Sequence, residues 1–372
     1  MAKSSSKMIV VMFIVFIFGI NSLNILTPDR EFSEMENRML SQFPKFSIKN
    51  LLSGNFTDKF EKYVADQFVF RDYWVGIKSD LERFLLKTKN NGIFFGKDGY
   101  LLEDYKKPGE QLIKNIISIN NFADKLPDVQ TYLLLAPNSI KIYEDKLPMF
   151  ADPYDQLKSI EIIKENLNKK INFIDIYKIL EKKKEEYIYF KTDHHWTMRG
   201  AYYAYQEFAK RVGFKPYSIK DFDLKIVTDS FYGTFYSKAN NRHIKPDSIE
   251  LFIPKFNINY RIDYVDDNKS SNSLYEYSYL GKKDKYAFFL DGNHALIRIK
   301  TSLNNGKKLV IFKDSYSHCF IPFLANHYEE IHVIDLRYYK LNIYDYIKEH
   351  KIKEVLFLYN VATFSNDVSI FL

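Results

Sequence analysis

Residues 308–317 read Lys308-Leu309-Val310-Ile311-Phe312-Lys313-Asp314-Ser315-Tyr316-Ser317. Four consecutive apolar side chains between lysines predict a short strand buried on both faces. The run then breaks into Asp-Ser and continues in an apolar helical pattern through Leu324. A buried strand that ends in a polar turn and feeds a helix is one half of a parallel α/β unit. Working outward, similar units recur. Strands are expected at Thr131–Ala136, Ile171–Ile174, Ile331–Ile334 and Val355–Tyr359. Helices are expected at Glu110–Leu126, Asp155–Asn168, Thr197–Val212 and around Tyr344. This alternation predicts a parallel sheet covered by helices on both faces. Residues 215–300 differ: short alternating stretches rich in Tyr and Phe predict a β-rich insertion.

The chain N-terminal to this core is organised differently. Lys3 and Lys7 precede an unbroken apolar run, Met8 to Ile20, which Leu23, Ile25 and Leu26 extend. A basic flank before an apolar stretch is an export signal. Thr27-Pro28-Asp29-Arg30 offers no small-x-small cleavage site, so residues 1–26 are expected to be an uncleaved signal-anchor with the rest of the chain outside. A cleaved signal peptide is the alternative, because the run is short for a full span. Residues 27–90 form a juxtamembrane segment. It opens with the polar Ser33-Glu34-Met35-Glu36-Asn37-Arg38 and continues with helical spacing from Asn55 to Leu86 through Phe60, Val64, Trp74, Ile77, Leu81 and Phe84. Two apolar runs around Lys97-Asp98-Gly99 predict a hairpin at the start of the main domain, 91–372.

The formal charge of +7, from 54 basic and 47 acidic residues, is mild for 372 residues. The basic residues are dispersed, and no nucleic-acid partner is expected. The single cysteine, Cys319, excludes an intrachain disulfide and a cysteine metal site. It is expected to be a small buried apolar group. No cofactor or metal is expected.

Two segments carry chemistry. Lys191-Thr192-Asp193-His194-His195-Trp196-Thr197 precedes a helix for which Thr197 is a candidate N-cap. If the segment is extended, Asp193 and His195 point the same way and His194 the other. An aspartate beside a histidine fixes its tautomer and supports the charge formed when it accepts a proton. The second segment is Asp314-Ser315-Tyr316, which lies at the carboxyl end of a parallel strand, where open α/β sheets build their sites. Its Ser315 and Tyr316 amides start a helix and are candidate oxyanion donors. Serine needs an adjacent base, and His195 oriented by Asp193 supplies one. Trp196 is a candidate for stacking a sugar ring or packing under the helix. Arg337, at a strand end, is a candidate for substrate contact or for structural pairing.

The Asp193-His194-His195-Trp196 run, followed about 120 residues later by Asp314-Ser315-Tyr316, resembles the DHHW protein family of Gram-positive bacteria. It is also similar to the alginate O-acetylation proteins J and X, which are SGNH-hydrolase-like. Ser33 to Arg38, Phe95-Gly96-Lys97-Asp98-Gly99 and Asp335-Leu336-Arg337-Tyr338-Tyr339 agree with it, so the resemblance spans nearly the whole chain. It implies a three-layer α/β/α fold with a permuted sheet, because Asp-His precedes serine here. Catalytic Asp193, His195 and Ser315 are implied with it. Asn360, ending the last predicted strand, then matches the oxyanion asparagine, and Asn293 is the rival. The resemblance further implies O-acetyl transfer to an exported polysaccharide, with the acetyl group supplied by a membrane-bound O-acyltransferase. Three other readings remain open: a polysaccharide acetylesterase with the same triad, a DHH-type metal phosphoesterase, and a non-catalytic polysaccharide-binding subunit.

Overall fold

The computed structural model describes residues 2–370, with side chains described from residue 7 onward. Lys3, one of the two lysines expected to flank the apolar run, therefore lies outside the described side chains. Two compact units are present. One takes the chain up to Asn90 with the short return Asn240–His243; the other takes Asn91–Ala239 and the chain from Ile244 onward.

In the first unit, α1 (Ala2–Leu26) contains a 20-residue stretch, Lys7–Leu26, with mean hydropathy 2.5 and none of it buried. It is long and apolar enough to cross a membrane, a property that anchors and signal sequences share. The expected helical stretch 55–86 is two helices, α2 (Asn55–Gln67) and α3 (Arg71–Phe84). They break at Phe68-Val69-Phe70, where Phe70 adopts the left-handed region at φ 56°. The Ser33–Arg38 run supplies ion pairs to these helices. Arg38 reaches Asp66 at 2.5 Å, and Glu36 pairs with Arg71. The Arg38 guanidinium holds the Asp66 carboxyl well below the usual carboxylate range, against the opposing effect of burial.

In the second unit the main sheet has eight strands. They are β1 (Gln130–Ala136), β2 (Ile171–Ile174), β3 (Tyr260–Tyr264), β4 (Lys269–Ser271), β5 (Leu296–Thr301), β6 (Lys308–Lys313), β7 (Glu330–Ile334) and β8 (Glu354–Asn360). Their order is β4-β3-β5-β7-β6-β8-β1-β2. The five strands from β7 to β2 are mutually parallel, and β5, β3 and β4 extend the sheet antiparallel. Residues 215–300 thus contribute three strands to the main sheet, plus a separate hairpin of Phe222–Phe231 with Asp247–Pro254. The fold is the SGNH-like α/β class.

Helices α4 (Gln111–Lys125), α5 (Gln156–Asn166), α6 (Met198–Val212), α7 (Ile343–Glu349) and α8 (Val361–Asn366) accompany the sheet. Leu309 to Phe312 of β6 are completely buried, as a strand covered on both faces requires. Phe122 of α4 meets Phe312 and Phe357, which pair in register on β6 and β8. Leu133 of β1 is the next residue in that row. Its chain neighbour Tyr132 turns to the opposite face and meets Phe208 of α6. Each such aromatic contributes roughly 2–3 kcal/mol through burial.

The chain passes from β6 to β7 on one flank and then to β8 on the other. This reversal opens a crevice at the carboxyl ends of β6 and β8, the usual binding position in open α/β sheets. Ser315 follows β6, Asp335 follows β7, Asn360 ends β8 and Asn138 follows β1.

Candidate active site

Ser315 and His195 come together at this crevice. The Ser315 Oγ lies 2.7 Å from His195 Nε2, and His195 Nδ1 lies 2.5 Å from Asp193 Oδ1. A carboxylate accepts only, so Nδ1 carries the imidazole hydrogen and Nε2 presents its lone pair to the serine hydroxyl. Ser315 is half-buried, whereas Asp193 and His195 are buried.

The segment around Asp193 is a series of bends rather than the extended run expected from sequence. Asp193 Oδ1 also accepts the His195 backbone N–H at 3.0 Å, an Asx-turn that brings i and i+2 together. Its Oδ2 accepts the Thr234 amide at 2.8 Å and the Thr234 hydroxyl at 3.1 Å. Burial pushes the Asp193 carboxyl up, but the two imidazoles and these hydrogen bonds outweigh it and hold it well below the usual range. Beneath the segment, the buried Asp247 carboxylate accepts the Lys191 and Thr192 amides at 2.9 and 2.8 Å and the Thr192 hydroxyl at 2.5 Å.

His194 has its own constraint. Thr234 donates its one hydroxyl hydrogen to Asp193, so it accepts from His194 Nδ1 at 2.8 Å. His194 Nε2 is then also a lone-pair nitrogen. Burial and the neighbouring His195 lower the His194 pKa to about 4, so it is neutral at ordinary pH.

A tyrosine absent from the sequence expectations packs against His195 and the serine turn. The Tyr286 ring stacks on His195 at 3.6 Å between centroids and 8° between planes. Its hydroxyl donates to the Ser315 carbonyl at 3.1 Å. Tyr286 thereby restrains both the imidazole plane and the serine turn. Its only local sequence signal was an aromatic in a region full of aromatics. Gly233, Thr234 and Asp247 were equally illegible, since each acts across more than 35 residues of chain.

The serine turn is built around Asp314. Its Oδ1 accepts the Tyr316 amide at 2.8 Å. Its Oδ2 accepts the Asn360 amide and side chain, both at 2.7 Å. Burial nevertheless pushes the Asp314 carboxyl up to about 6. Two expectations change as a result. The Tyr316 amide is committed to Asp314 rather than open to an oxyanion, because Asp314 caps the helical turn that starts at Ser315. Asn360 is likewise committed: its second amide hydrogen goes to Thr363 Oγ1 at 2.7 Å, and its Oδ1 accepts the Thr363 amide as the cap of α8. The Ser315 N–H has no partner among the described residues.

Asn293 is oriented differently. Its Oδ1 accepts Lys313 Nζ at 2.9 Å and Arg337 Nη2 at 3.3 Å. Two cationic donors on one oxygen fix the amide orientation and turn its hydrogens elsewhere. Arg337 forks onto Asp335 at 2.8 and 2.6 Å, so it is a paired group. Lys313 is fully buried and lies 2.9 Å from Asp335. Trp196 is completely buried and donates to the Tyr316 carbonyl at 2.8 Å, so it packs beneath the serine turn and stacks no sugar. Thr197 caps α6 by accepting the Gly200 amide. Cys319 is buried, and burial raises its thiol to about 12. A recess of about 230 Å³ opens beside Asn138, Gln156, Tyr105 and Phe235.

Asp193, His194 and His195 each bring a potential ligand atom within 4.8 Å of the others. The arrangement fits a metal poorly. Both Asp193 oxygens, His195 Nε2 and His194 Nδ1 are engaged by protein partners. The phosphoesterase reading of Asp-His-His therefore finds no open ligand set here.

Residues 99–334 match the DHHW protein family. A DHHW family protein from Eubacterium siraeum is 28% identical with a TM-score of 0.66, covering 76% of this chain and 94% of its own. Bacillus cereus PatB1 shares the fold at 23% identity and a TM-score of 0.64, covering 74% of this chain and 98% of its own. PatB1 has also been solved with a sulfonyl adduct, and that structure is 22% identical with a TM-score of 0.62, covering 75% and 99%. No curated protein matches the chain. The family match spans more than half of the sequence and contains both Asp193-His194-His195-Trp196 and Ser315, and the chain belongs to the DHHW protein family.

Proposed function

We propose that this protein is an extracytoplasmic O-acetyltransferase that modifies an exported or cell-surface polysaccharide through an acyl-enzyme on Ser315. The observation that carries the proposal is the 2.7 Å contact of Ser315 Oγ with His195 Nε2, backed by Asp193 on Nδ1. The resemblance to the O-acetylation proteins supports the choice of acetyl group and glycan. In this reading residues 1–26 anchor the chain, 27–90 form the juxtamembrane segment and 91–372 the catalytic domain. A membrane-bound O-acyltransferase supplies the acetyl group.

Ser315 Oγ attacks the acetyl carbonyl as its proton passes to His195 Nε2. The tetrahedral oxyanion is met by the Ser315 N–H and the Asn293 amide, the donors that Asp314, Asn360 and Thr363 leave free. One such donor contributes roughly 3 kcal/mol in the transition state. Collapse breaks the bond to the donor's oxygen, which takes the proton from His195 and leaves the acetyl ester on Ser315. A sugar hydroxyl then gives its proton to His195 as it attacks that ester, and the same proton returns to Ser315 Oγ on release.

The test is covalent. An activated acetyl ester should raise the intact mass by one acetyl group on Ser315 and release its leaving group in a burst. A sulfonyl fluoride, chosen because PatB1 accepts a sulfonyl adduct, should block that labelling. Ser315→Ala should show neither adduct while remaining folded. A folded wild type that never labels at Ser315 overturns the proposal. Labelling followed by loss to water alone, with glycan present, assigns an acetylesterase instead.

A further inference from the structure

The first unit carries an inverted helix. On α3 the buried positions are the small Gly76 and Ser79, while Trp74, Leu81 and Phe84 are 40%, 58% and 82% exposed. These three residues recur at 74, 81 and 84, with half-buried Ile77 between them, so they form one apolar stripe. A helix dissolved in water has the opposite arrangement. The stripe therefore faces something apolar.

The turn that starts α3 lies against the end of α1: the Val69 amide donates to Asn24 Oδ1 at 2.6 Å. Leu23, Thr27, Val69, Phe70 and Tyr73 line one recess there. Arg30, just past the end of α1, forks onto Asp72 in the first turn of α3 at 2.8 and 3.2 Å. Phe70, Tyr73 and Trp74 are thus held at the level where α1 runs out of apolar residues. Aromatic residues with a polar edge concentrate at that depth of a bilayer.

We propose that α3 lies in the headgroup layer of the membrane, with Phe70, Trp74, Leu81 and Phe84 in contact with lipid and the Arg30–Asp72 pair fixing the helix to the anchor. The inference rests on the anchor reading of α1. Its chemistry is that of an interfacial amphipathic helix, with a span of about 20 Å for 14 residues at 1.5 Å each.

The chain has two tryptophans, and Trp196 is completely buried in the other unit, which makes Trp74 a reporter of depth. The full chain should be reconstituted into phosphatidylcholine–phosphatidylglycerol vesicles and floated. Its emission should then be compared in vesicles whose lipids are brominated near the headgroup end of the acyl chain or near the terminal methyl. Loss of the Trp74 share of the emission is expected with the shallow bromine and less loss with the deep one. Trp74→Phe should remove the quenched component, and a Leu81→Glu, Phe84→Glu double variant should weaken it. Chain that floats with the vesicles yet shows the same emission in brominated and plain lipid overturns the proposal while leaving the anchor in place; the stripe then belongs to a protein. Chain that fails to float overturns the anchor reading and this inference together.

Discussion

At Gly233 there is no room for a methyl group, since a Cβ there would lie 2.2 Å from Asp193 Cβ and 2.3 Å from its Oδ2. Gly233→Ala must displace the carboxylate that orients His195. A misplacement of about 1 Å in such a site costs roughly 10²-fold in rate, and acetyl-ester turnover by the purified variant measures it. His195→Ala should be as severe as Ser315→Ala, because in the proposed mechanism base and nucleophile act together. His194→Ala should be much milder: its Nδ1 serves Thr234, and a severe loss there with an active His195→Ala would reverse the assignment of the base. Acid should weaken the fold through both histidine neighbours. Asp193 has a lowered pKa in the folded chain, so its contribution is full above the roughly 3.9 of an unfolded aspartate and is lost as pH falls below it. His194, held near 4 against about 6.5 when unfolded, adds a loss in the same direction between those values, because the unfolded chain binds the extra proton. Urea midpoints should fall with pH in the wild type, and less steeply below pH ~4 in Asp193→Asn. Asp193, His195 and Ser315 were legible because short motifs carry them. Tyr286, Gly233 and Asp247 were not, because a residue that works by stacking, by absence of a side chain or from beneath a loop leaves no local pattern.

At the level of the element, the two turns that present the site use one device. Asp193 accepts the amide of His195, and Asp314 accepts the amide of Tyr316, each two residues on. The sequence showed an aspartate at both places but suggested an extended segment for the first and an oxyanion donor for the second. The difference is physical: an aspartate side chain competes for the next amides, and here it wins both times. The outlines of β1, β6, β7 and β8 follow their apolar runs closely, because strands buried on both faces have few polar positions to confuse the reading, and β2, at the sheet edge and half-buried at Asn172 and Phe173, is short enough to match its run too. Strands β3 to β5 sit toward one edge of the sheet and read only as a β-rich stretch. Asp314→Ala should strand three hydrogen bonds, those of the Tyr316 amide and the Asn360 amide and side chain. Unpaired buried donors cost about 1–3 kcal/mol each, so a marked drop in urea midpoint is expected. Asn293→Ala should instead lower acyl transfer about 10²-fold with a smaller change in stability.

Across the whole molecule, the proposed topology predicts that protease added to intact protoplasts digests the domain that follows α1, and full protection would contradict it. The parallel alternation along the chain was enough to anticipate the sheet, but not its strand order. Apolar runs announce that strands exist and are silent about their neighbours, since every buried strand of this kind offers a similar surface. That order has a temporal meaning. Among the described strands, β8 comes last in the chain yet sits between β6 and β1, and it alone joins the two halves of the sheet. It also ends in Asn360, which holds the Asp314 turn. In a polypeptide threaded across a membrane from its N-terminus, Asp193, His195 and Ser315 all emerge while that central slot is vacant. Until β8 is inserted the Asp314 turn lacks its Asn360 hydrogen bonds, so under the proposed function a chain arrested before residue 354 should reach the outside intact in its motifs and inert toward acetyl esters.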